Sequence, residues 1–162
     1  MMDLTFLIPT RIETEDRLRN ITSVVTYLLH HVPAKVIVKE VSNQPTFRFR
    51  SLPEIKKRVD TTNLTYLYEE SNEPLFCKSK VLNDLIVASD TKVVANYDTD
   101  CILPVSAYKE AYDAIEMYML TEGGMLELRE ICVKWGIEPK KIEALGLNVL
   151  GTIGGYTAGN RK

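Results

Sequence analysis

The chain has 162 residues, of which 45% are hydrophobic and 26% charged, and its net charge is −2. A chain of this length suits one domain, here residues 1–162, and buries about 70% of the surface that the unfolded chain exposes. The charge balance gives no broad basic field, which argues against nucleic acid as a partner.

The cysteine and hydropathy patterns are typical of a reducing compartment. The three cysteines, Cys77, Cys101 and Cys132, are odd in number and lack CxxC spacing, which disfavours a disulfide framework or a structural zinc site. The apolar start is too short for a signal peptide, and no segment reaches the roughly 20 apolar residues that span a bilayer. We therefore expect a cytoplasmic protein without a transmembrane segment, which a membrane-associated pathway could still recruit to a bilayer surface.

The first part of the chain alternates between strand and helix patterns. Residues 4–8 are a continuous apolar run that Pro9 ends, and apolar positions in residues 14–30 recur at helical spacing. A β-branched run at residues 36–38 leads to Glu40. These patterns predict a strand, a helix and a second strand.

The alternation continues through the middle of the chain. Ser51 followed by Glu54 fits a capping box and predicts a short helix that ends at Val59. Residues 64–68 are rich in strand formers, and residues 81–86 place their apolar side chains on one helical face. A third strand and a further helix are therefore expected.

A fourth strand is predicted at residues 93–97, before a helix that starts at Pro104. The apolar stripe of that helix consists of Tyr108, Tyr112, Ile115 and Met119. The remaining predicted elements are a helix up to Gly136, a short helix at residues 139–146, a strand at 147–153 and a glycine-rich tail.

Apolar strands that alternate with helices indicate an α/β fold, in which helices flank a mostly parallel sheet on both faces. Open sheets of this kind bind ligands outside the carboxyl ends of their strands. Residues that could contact a ligand stand at the carboxyl ends of the first four predicted strands. They are Pro9-Thr10-Arg11, Glu40, Glu69-Glu70 and Asp98-Thr99-Asp100. We therefore expect a ligand site at this edge of the sheet.

Asp98 and Asp100 stand one residue apart at the end of the fourth predicted strand. Because strand side chains alternate, both carboxylates would point the same way if the strand continued through them. Carboxylate oxygens suit hard divalent cations such as Mg²⁺ and Mn²⁺, which also bind phosphates. The pair predicts a metal that holds a diphosphate, and the alternative is a solvated Asp-Thr-Asp turn.

Two further segments carry groups that suit a nucleotide. Arg11 follows the first strand, where its guanidinium can meet a phosphate or stack on a base; the alternative is a surface ion pair with Glu13 or Asp16. Phe76 and Lys78 start the helix before the fourth strand, where they suit a ring and a diphosphate. The alternative has the ring in the core and the lysine in solvent.

These segments, in this order, resemble the GT-A-fold glycosyltransferases (family 2-like), most closely their β-1,4-galactosyltransferase-like branch. FLIPTR at residues 6–11 resembles the "IPFR" segment of that branch, with a threonine in place of its aromatic residue. FCKSKVLN at 76–83 resembles "FNRAKLLN", and YDTDCILP at 97–104 resembles "hDVDLVP". IGGYTAGNRK at 153–162 resembles the glycine loop "FGGVSALSKQQ".

The resemblance implies a Rossmann-like GT-A sheet that binds a nucleotide-diphosphate sugar, with a UDP-sugar preferred. The donor contacts that it implies are Pro9, Thr10, Arg11, Glu40, Phe76, Lys78, Asp98, Gly154 and Gly155. The metal ligands that it implies, for Mn²⁺ or Mg²⁺, are Asp98 and Asp100. Phe76 would lie beside the uracil, whereas Glu40 matches more loosely as a contact of the base or ribose.

The resemblance covers the donor half of the family pattern and stops at Lys162, before the segments that supply the acceptor-side base. We therefore expect a GT-A-like fold that is incomplete at the C-terminus, and no catalytic base can be named. The expected function is a glycosyltransferase that moves a sugar to a hydroxyl of a glycan or another acceptor, with this chain competent for donor binding and weak or no transfer. Apolar surface on an incomplete fold favours a homo-oligomer.

Two alternatives stay open. The first is a nucleotide-sugar-binding or assembly module without chemistry of its own. The second is a phosphotransferase of the haloacid-dehalogenase type, because Asp98-Thr99-Asp100 also resembles the DxDx(T/V) strand end of that family, in which the first aspartate is a nucleophile. The late position of the motif and the lack of a downstream acidic pair count against the second alternative.

Overall fold

The computed structural model describes residues 1–120, 148–153 and 156–160, and the strands of these residues form one sheet in the order β3-β2-β1-β4-β6-β5. The strands are β1 (Leu4–Thr10), β2 (Lys35–Ser42), β3 (Leu64–Glu70), β4 (Val93–Asn96), β5 (Asn148–Ile153) and β6 (Tyr156–Asn160). The first four are parallel, and β6 runs antiparallel to both β4 and β5. The prediction of an α/β fold with a mostly parallel sheet is confirmed.

Helices connect the parallel strands and cover both faces of the sheet. They are α1 (Glu15–His31), a π-helix (Phe47–Ser51) that continues into α2 (Leu52–Lys56), α3 (Lys78–Ala88) and α4 (Val105–Leu120). The core on one face joins β1 to α1, the π-helix, α2 and α4, whereas α3 covers the other face. In the part of the chain that the structure describes, no helix is long and apolar enough to cross a membrane.

Helix α1 forms where the periodicity of the sequence predicts it. Thr14 is the N-cap residue, and its hydroxyl accepts a hydrogen bond from the backbone N–H of Arg17 at 3.2 Å, which satisfies one of the free donors at a helix start. The buried residues that face the sheet are Leu18, Ile21, Val24, Val25 and Leu28. Full burial of such a side chain contributes about 1.5–3 kcal/mol, so this face holds α1 on the sheet.

The predicted capping box at Ser51 is wrong. Ser51 already has helical backbone angles and makes no side-chain cap hydrogen bond. Its hydroxyl instead accepts a hydrogen bond from Thr22 on α1 at 2.8 Å. The helix starts earlier, at the π-helix, because the carboxylate of Glu40 binds the backbone N–H groups of Thr46 and Phe47.

The ends of two other elements differ from the predictions. β4 ends at Asn96, so Tyr97 lies outside the strand, and Thr99 and Asp100 form a turn. β6 occupies residues for which the sequence predicts a glycine-rich tail, because pairing with β4 and β5 outweighs the low strand preference of glycine. The helices predicted between residues 121 and 146 lie outside the described residues.

Candidate functional site

A polar cleft of about 430 Å³ opens at the carboxyl ends of β1, β2 and β3. Residues that end or follow these strands line it, among them Arg11, Ser42, Asn43, Gln44, Ser71 and Asn72. The cleft lies at the edge where the sequence predicts a ligand site. The polar residues after β2 and β3 are not among the predicted site residues, although a short polar run follows each of these strands in the sequence.

Arg11 reaches across the cleft from the end of β1. Its Nε donates to the carbonyl oxygen of Val41 at 3.0 Å, and its Nη1 donates to the carbonyl oxygens of Glu73 at 2.9 Å and Pro74 at 3.3 Å. Its guanidinium carbon lies 5.5 Å from the centroid of the Phe76 ring, within the range of a cation–π contact. Arg11 therefore joins β1 to the end of β2 and to the segment before α3.

One donor of Arg11 keeps its capacity to bind a further group. Nη2 is buried and has no hydrogen-bond partner within the described residues. The alternative ion pairs of Arg11 do not form, because Glu13 pairs with Arg17 and Asp16 pairs with Arg19. Since a buried N–H without a partner is costly, Nη2 is suited to an acceptor atom that enters this edge.

Phe76 packs in the core, as the alternative predicts, and its contact with a nucleotide base stays a prediction. Its ring packs against the apolar core under α3 and also carries the guanidinium of Arg11 on its surface. The cleft at β1 to β3 is therefore connected, through Phe76, with the first turn of α3. That turn contains no acidic residue, and a helix N-terminus favours negatively charged groups.

Lys78 links the start of α3 to the end of β4. Its Nζ donates to Oδ1 of Asp98 at 2.6 Å, and the two side chains are 45% and 51% exposed. The structure thus brings together Arg11, Phe76, Lys78 and Asp98, which the sequence analysis takes from three separate segments. Because the Lys78–Asp98 pair is half exposed, both groups remain accessible to a ligand.

The turn that carries Asp98 and Asp100 is fixed by tyrosines rather than by strand pairing. The hydroxyl of Tyr97 donates to the carbonyl oxygen of Cys101 at 2.8 Å, and the hydroxyl of Tyr108 accepts from the backbone N–H of Leu103 at 2.9 Å. Both tyrosines are buried. The premise that a continuing strand aligns the two aspartates is therefore wrong, and the turn sets their positions instead.

The donor set of this turn fits a divalent cation that shares its ligands with phosphate. Asp98 and Asp100 are both exposed carboxylates, the oxygen type that Mg²⁺ and Mn²⁺ prefer. Within the described residues, no group of three His, Cys, Asp or Glu side chains is placed to hold a metal. A cation here would need phosphate and water ligands, as Mg²⁺ commonly does with one or two protein carboxylates.

Glu40 lies inside the fold, at the end of β2, and is fully buried. Its Oε1 accepts from the backbone N–H of Thr46 at 3.1 Å and the hydroxyl of Ser42 at 3.2 Å. Its Oε2 accepts from the backbone N–H of Phe47 at 3.0 Å and the hydroxyl of Tyr66 at 2.7 Å. Burial, and then the hydrogen bond to Glu40, raise the pKa of Tyr66 above its usual value. Both oxygens of Glu40 have protein partners, and its contact with a nucleotide stays a prediction.

A charge network that the sequence analysis missed holds α3 on the sheet. Lys39 of β2 is buried, and its Nζ lies 2.7 Å from Glu69 of β3 and 2.5 Å from Asp84 of α3. Lys80 binds the other oxygen of Glu69 at 2.9 Å. Hydrogen bonds from Lys39 and Lys80 lower the pKa of Glu69 to about 2. A lysine inside an apolar strand was the available signal, because a buried charge requires a partner.

The remaining predicted site residues occupy different positions. Pro9 and Thr10 are buried in β1. Among the described residues that line the cleft, the first along the chain is Arg11, and Pro9 and Thr10 do not line it. Gly154 and Gly155 lie outside the described residues.

An open parallel sheet with a polar cleft at its carboxyl edge is an arrangement in which α/β proteins bind ligands. Among solved structures, the fold resembles the GT-A domain of S. aureus TarS. The similarity to TarS 1-349 has a TM-score of 0.54 at 17% identity and covers 73% of this chain and 33% of that chain. For a second TarS structure the TM-score is 0.53 at 16% identity, covering 73% of this chain and 20% of that one.

The chain thus spans a third or less of the length of these two TarS structures. At such low identity the similarity shows the fold alone. No family model matches the sequence, and no curated protein matches it.

Proposed function

We propose that this chain binds a nucleotide-diphosphate sugar, with a UDP-sugar preferred, and forms the donor part of a glycosyltransferase. The observation that carries the proposal is the convergence of Arg11, Phe76, Lys78 and Asp98 at one edge of a sheet whose fold resembles TarS. These groups supply a ring surface, two cations and a carboxylate, which are the complements of a base, a diphosphate and a metal ion.

Different residues of this edge bind the nucleoside and the diphosphate of the ligand. Phe76 and Arg11 offer a stacking surface and a free buried donor for the nucleoside. Lys78, at the first turn of α3, offers its ammonium to the diphosphate. Three hydrogen bonds to carbonyl oxygens fix Arg11 at the rim of the cleft, which is the position that this assignment requires.

Asp98 and Asp100 would hold Mn²⁺ or Mg²⁺. A bound cation of this kind neutralises negative charge on a departing nucleotide diphosphate. Lys78 already occupies one oxygen of Asp98, so a cation and Lys78 compete for it. A diphosphate gives Lys78 another anionic partner and frees Asp98. We therefore expect nucleotide and cation to strengthen each other's binding, a coupling that is reciprocal by thermodynamic linkage.

Transfer to a hydroxyl of a glycan or other acceptor requires a base. Three carboxylates at this edge are engaged, since Glu40 is buried within the fold, Glu69 binds Lys39 and Lys80, and Asp98 binds Lys78. The same observation favours the alternative, a nucleotide-sugar-binding or assembly module without its own chemistry. Multi-turnover transfer of sugar by the purified chain would decide for the enzyme.

Isothermal titration calorimetry with UDP, in the presence and absence of Mn²⁺, tests the binding proposal. We expect Mn²⁺ to tighten UDP binding about tenfold, within the usual range of coupling between sites, and Asp98→Asn to abolish this dependence. Asp113→Asn is the matched control, because Asp113 is also an exposed aspartate paired with a lysine, Lys109 on α4. Metal-independent UDP binding, or equal behaviour of the two variants, would contradict the proposed site.

A further inference from the structure

The π-helix and α2 form one continuous segment with a buried face and an outward face. The buried residues Phe47, Ser51 and Ile55 recur every four positions. Phe49, Pro53 and Lys57, offset by two positions, recur at the same spacing, and all three are exposed. The segment therefore lies flat on the domain and presents one long side to solvent.

The outward face is strongly basic. Residues 47–58 contain one acidic residue, Glu54, and five basic ones, which are Arg48, Arg50, Lys56, Lys57 and Arg58, all exposed. Since these residues contribute +4 to a total charge of −2, the rest of the chain carries −6. A negatively charged surface would attract this face and repel the remainder of the molecule, which fixes one orientation.

Much of this charge is not committed to partners within the fold. Among the ion pairs of the described residues, this segment takes part through Arg50, which binds Glu15, and through Lys57, which binds Glu54. Arg48, Lys56 and Arg58 take part in none of them. The pKa of Glu54 is lowered mainly by Lys57 and to a smaller extent by the charge of Arg58. All three cations can thus meet an external anion without loss of an ion pair.

An exposed aromatic ring lies within the basic face. Phe49 is 69% exposed, and the guanidinium carbon of Arg48 lies 6.0 Å from its ring centroid. Basic and aromatic side chains are among the groups with which peripheral segments bind the boundary between lipid headgroups and acyl chains. A soluble polyanion would bind the cations and leave the ring in water.

We propose that the outward face of residues 47–58 docks on a bilayer that contains anionic lipids. The cations lie among the headgroups, and the ring of Phe49 enters the interface. The inference is independent of the proposed nucleotide-sugar site, because no residue of that site belongs to the segment. It assigns a definite surface to the recruitment to a bilayer that the sequence leaves open.

Co-sedimentation of the full chain with vesicles tests this surface. We expect binding to vesicles of equal parts phosphatidylcholine and phosphatidylglycerol and none to phosphatidylcholine alone. A rise in ionic strength from about 0.1 M to about 1 M, which shortens the Debye length from about 10 Å to about 3 Å, should release the protein. Absence of binding to the anionic vesicles at low salt would overturn the proposal.

A charge-matched pair of triple variants locates the surface. Arg48→Gln, Lys56→Gln and Arg58→Gln together should lower partitioning about 100-fold, because each basic residue near an anionic surface strengthens binding about fivefold. The control changes Lys35, Lys92 and Lys109 to Gln, which removes the same charge from other parts of the surface. Equal losses in the two triple variants would mean that total charge alone governs binding.

Phe49→Ser separates a bilayer from a soluble polyanion. We expect this variant to bind anionic vesicles about tenfold more weakly, because the ring no longer leaves water, and to bind inorganic polyphosphate as the unmodified protein does. Unchanged vesicle binding would overturn the proposed insertion and assign the face to a polyanion. Thermal unfolding by circular dichroism checks that each variant is folded.

Discussion

Replacement of Glu40 by Gln should destabilise the fold strongly, although the two side chains have nearly the same shape. The carboxylate lies at the end of β2 and is fully buried. Its four hydrogen bonds join β2 and β3 to the start of the π-helix. The N-terminus of that helix therefore depends on a residue of another element.

An amide can replace only one of the two carboxylate oxygens as an acceptor. Whichever way the amide turns, its NH₂ group faces the backbone N–H of Thr46 or that of Phe47. A buried N–H that loses its acceptor costs about 1–3 kcal/mol, and the other bonds lose the extra strength that a charged acceptor gives. Removal of a desolvated charge offsets part of this loss. A net loss of about 3 kcal/mol corresponds to a decrease of about 6–12 °C in Tm for a chain of this size.

Urea unfolding followed by circular dichroism measures this free energy. Glu13→Gln is a suitable control, because Glu13 is 57% exposed in its pair with Arg17 and such surface changes usually stay within about 0.5 kcal/mol. If Glu40→Gln were as stable as the control but had lost UDP binding, Glu40 would be a ligand contact and would not hold the start of the π-helix.

Three further predictions concern the charged residues around α3. Lys39→Met should cost about 2 kcal/mol in urea unfolding, less than the 3–5 kcal/mol of a fully buried pair, because its two acidic partners are 36% and 43% exposed. The pKa of Glu69 is lowered from 4.5 to about 2, so the ionised carboxylate stabilises the fold fully above pH 4.5, and this stabilisation is lost as the pH falls towards 2. In Glu69→Gln, the free energy of unfolding should therefore change less between pH 4.5 and pH 2, as urea unfolding at several pH values would show. Lys78→Gln should strengthen binding of Mn²⁺ alone and weaken binding of UDP, because Lys78 holds an oxygen of Asp98; calorimetry that shows both weakened would contradict the proposed exchange.

The sequence predicts those elements whose cause is local. Helix α1 follows from the spacing of Leu18, Ile21, Val25 and Leu28, and the structure shows the same face buried. The central strands follow from apolar runs, because strands covered on both faces need apolar residues throughout. Because these strands pair in parallel, their carboxyl ends lie at one edge of the sheet, which brings Arg11 and Asp98 to the same edge.

The features that escaped prediction depend on residues distant in sequence. The π-helix starts where Glu40 binds it, seven residues after that glutamate, and this contact displaces the helix start from Ser51. The partners of Lys39 lie 30 and 45 residues further along the chain, at Glu69 and Asp84. Hydrophobic period and cap patterns act over a few residues, so they carry no information on such pairs.

The charged groups at this edge differ in solvent exposure. The buried groups hold the fold together, and the exposed groups can exchange partners. Glu40 and Lys39 are buried, so a broken contact there leaves a desolvated charge or donor without compensation. Lys78 and Asp98 are about half exposed, and an ion pair of this kind contributes only about 0–1 kcal/mol because water solvates both partners once they separate. A diphosphate and a cation can therefore divide this pair between them at little cost in stability, while the buried contacts keep β2, β3 and α3 in place.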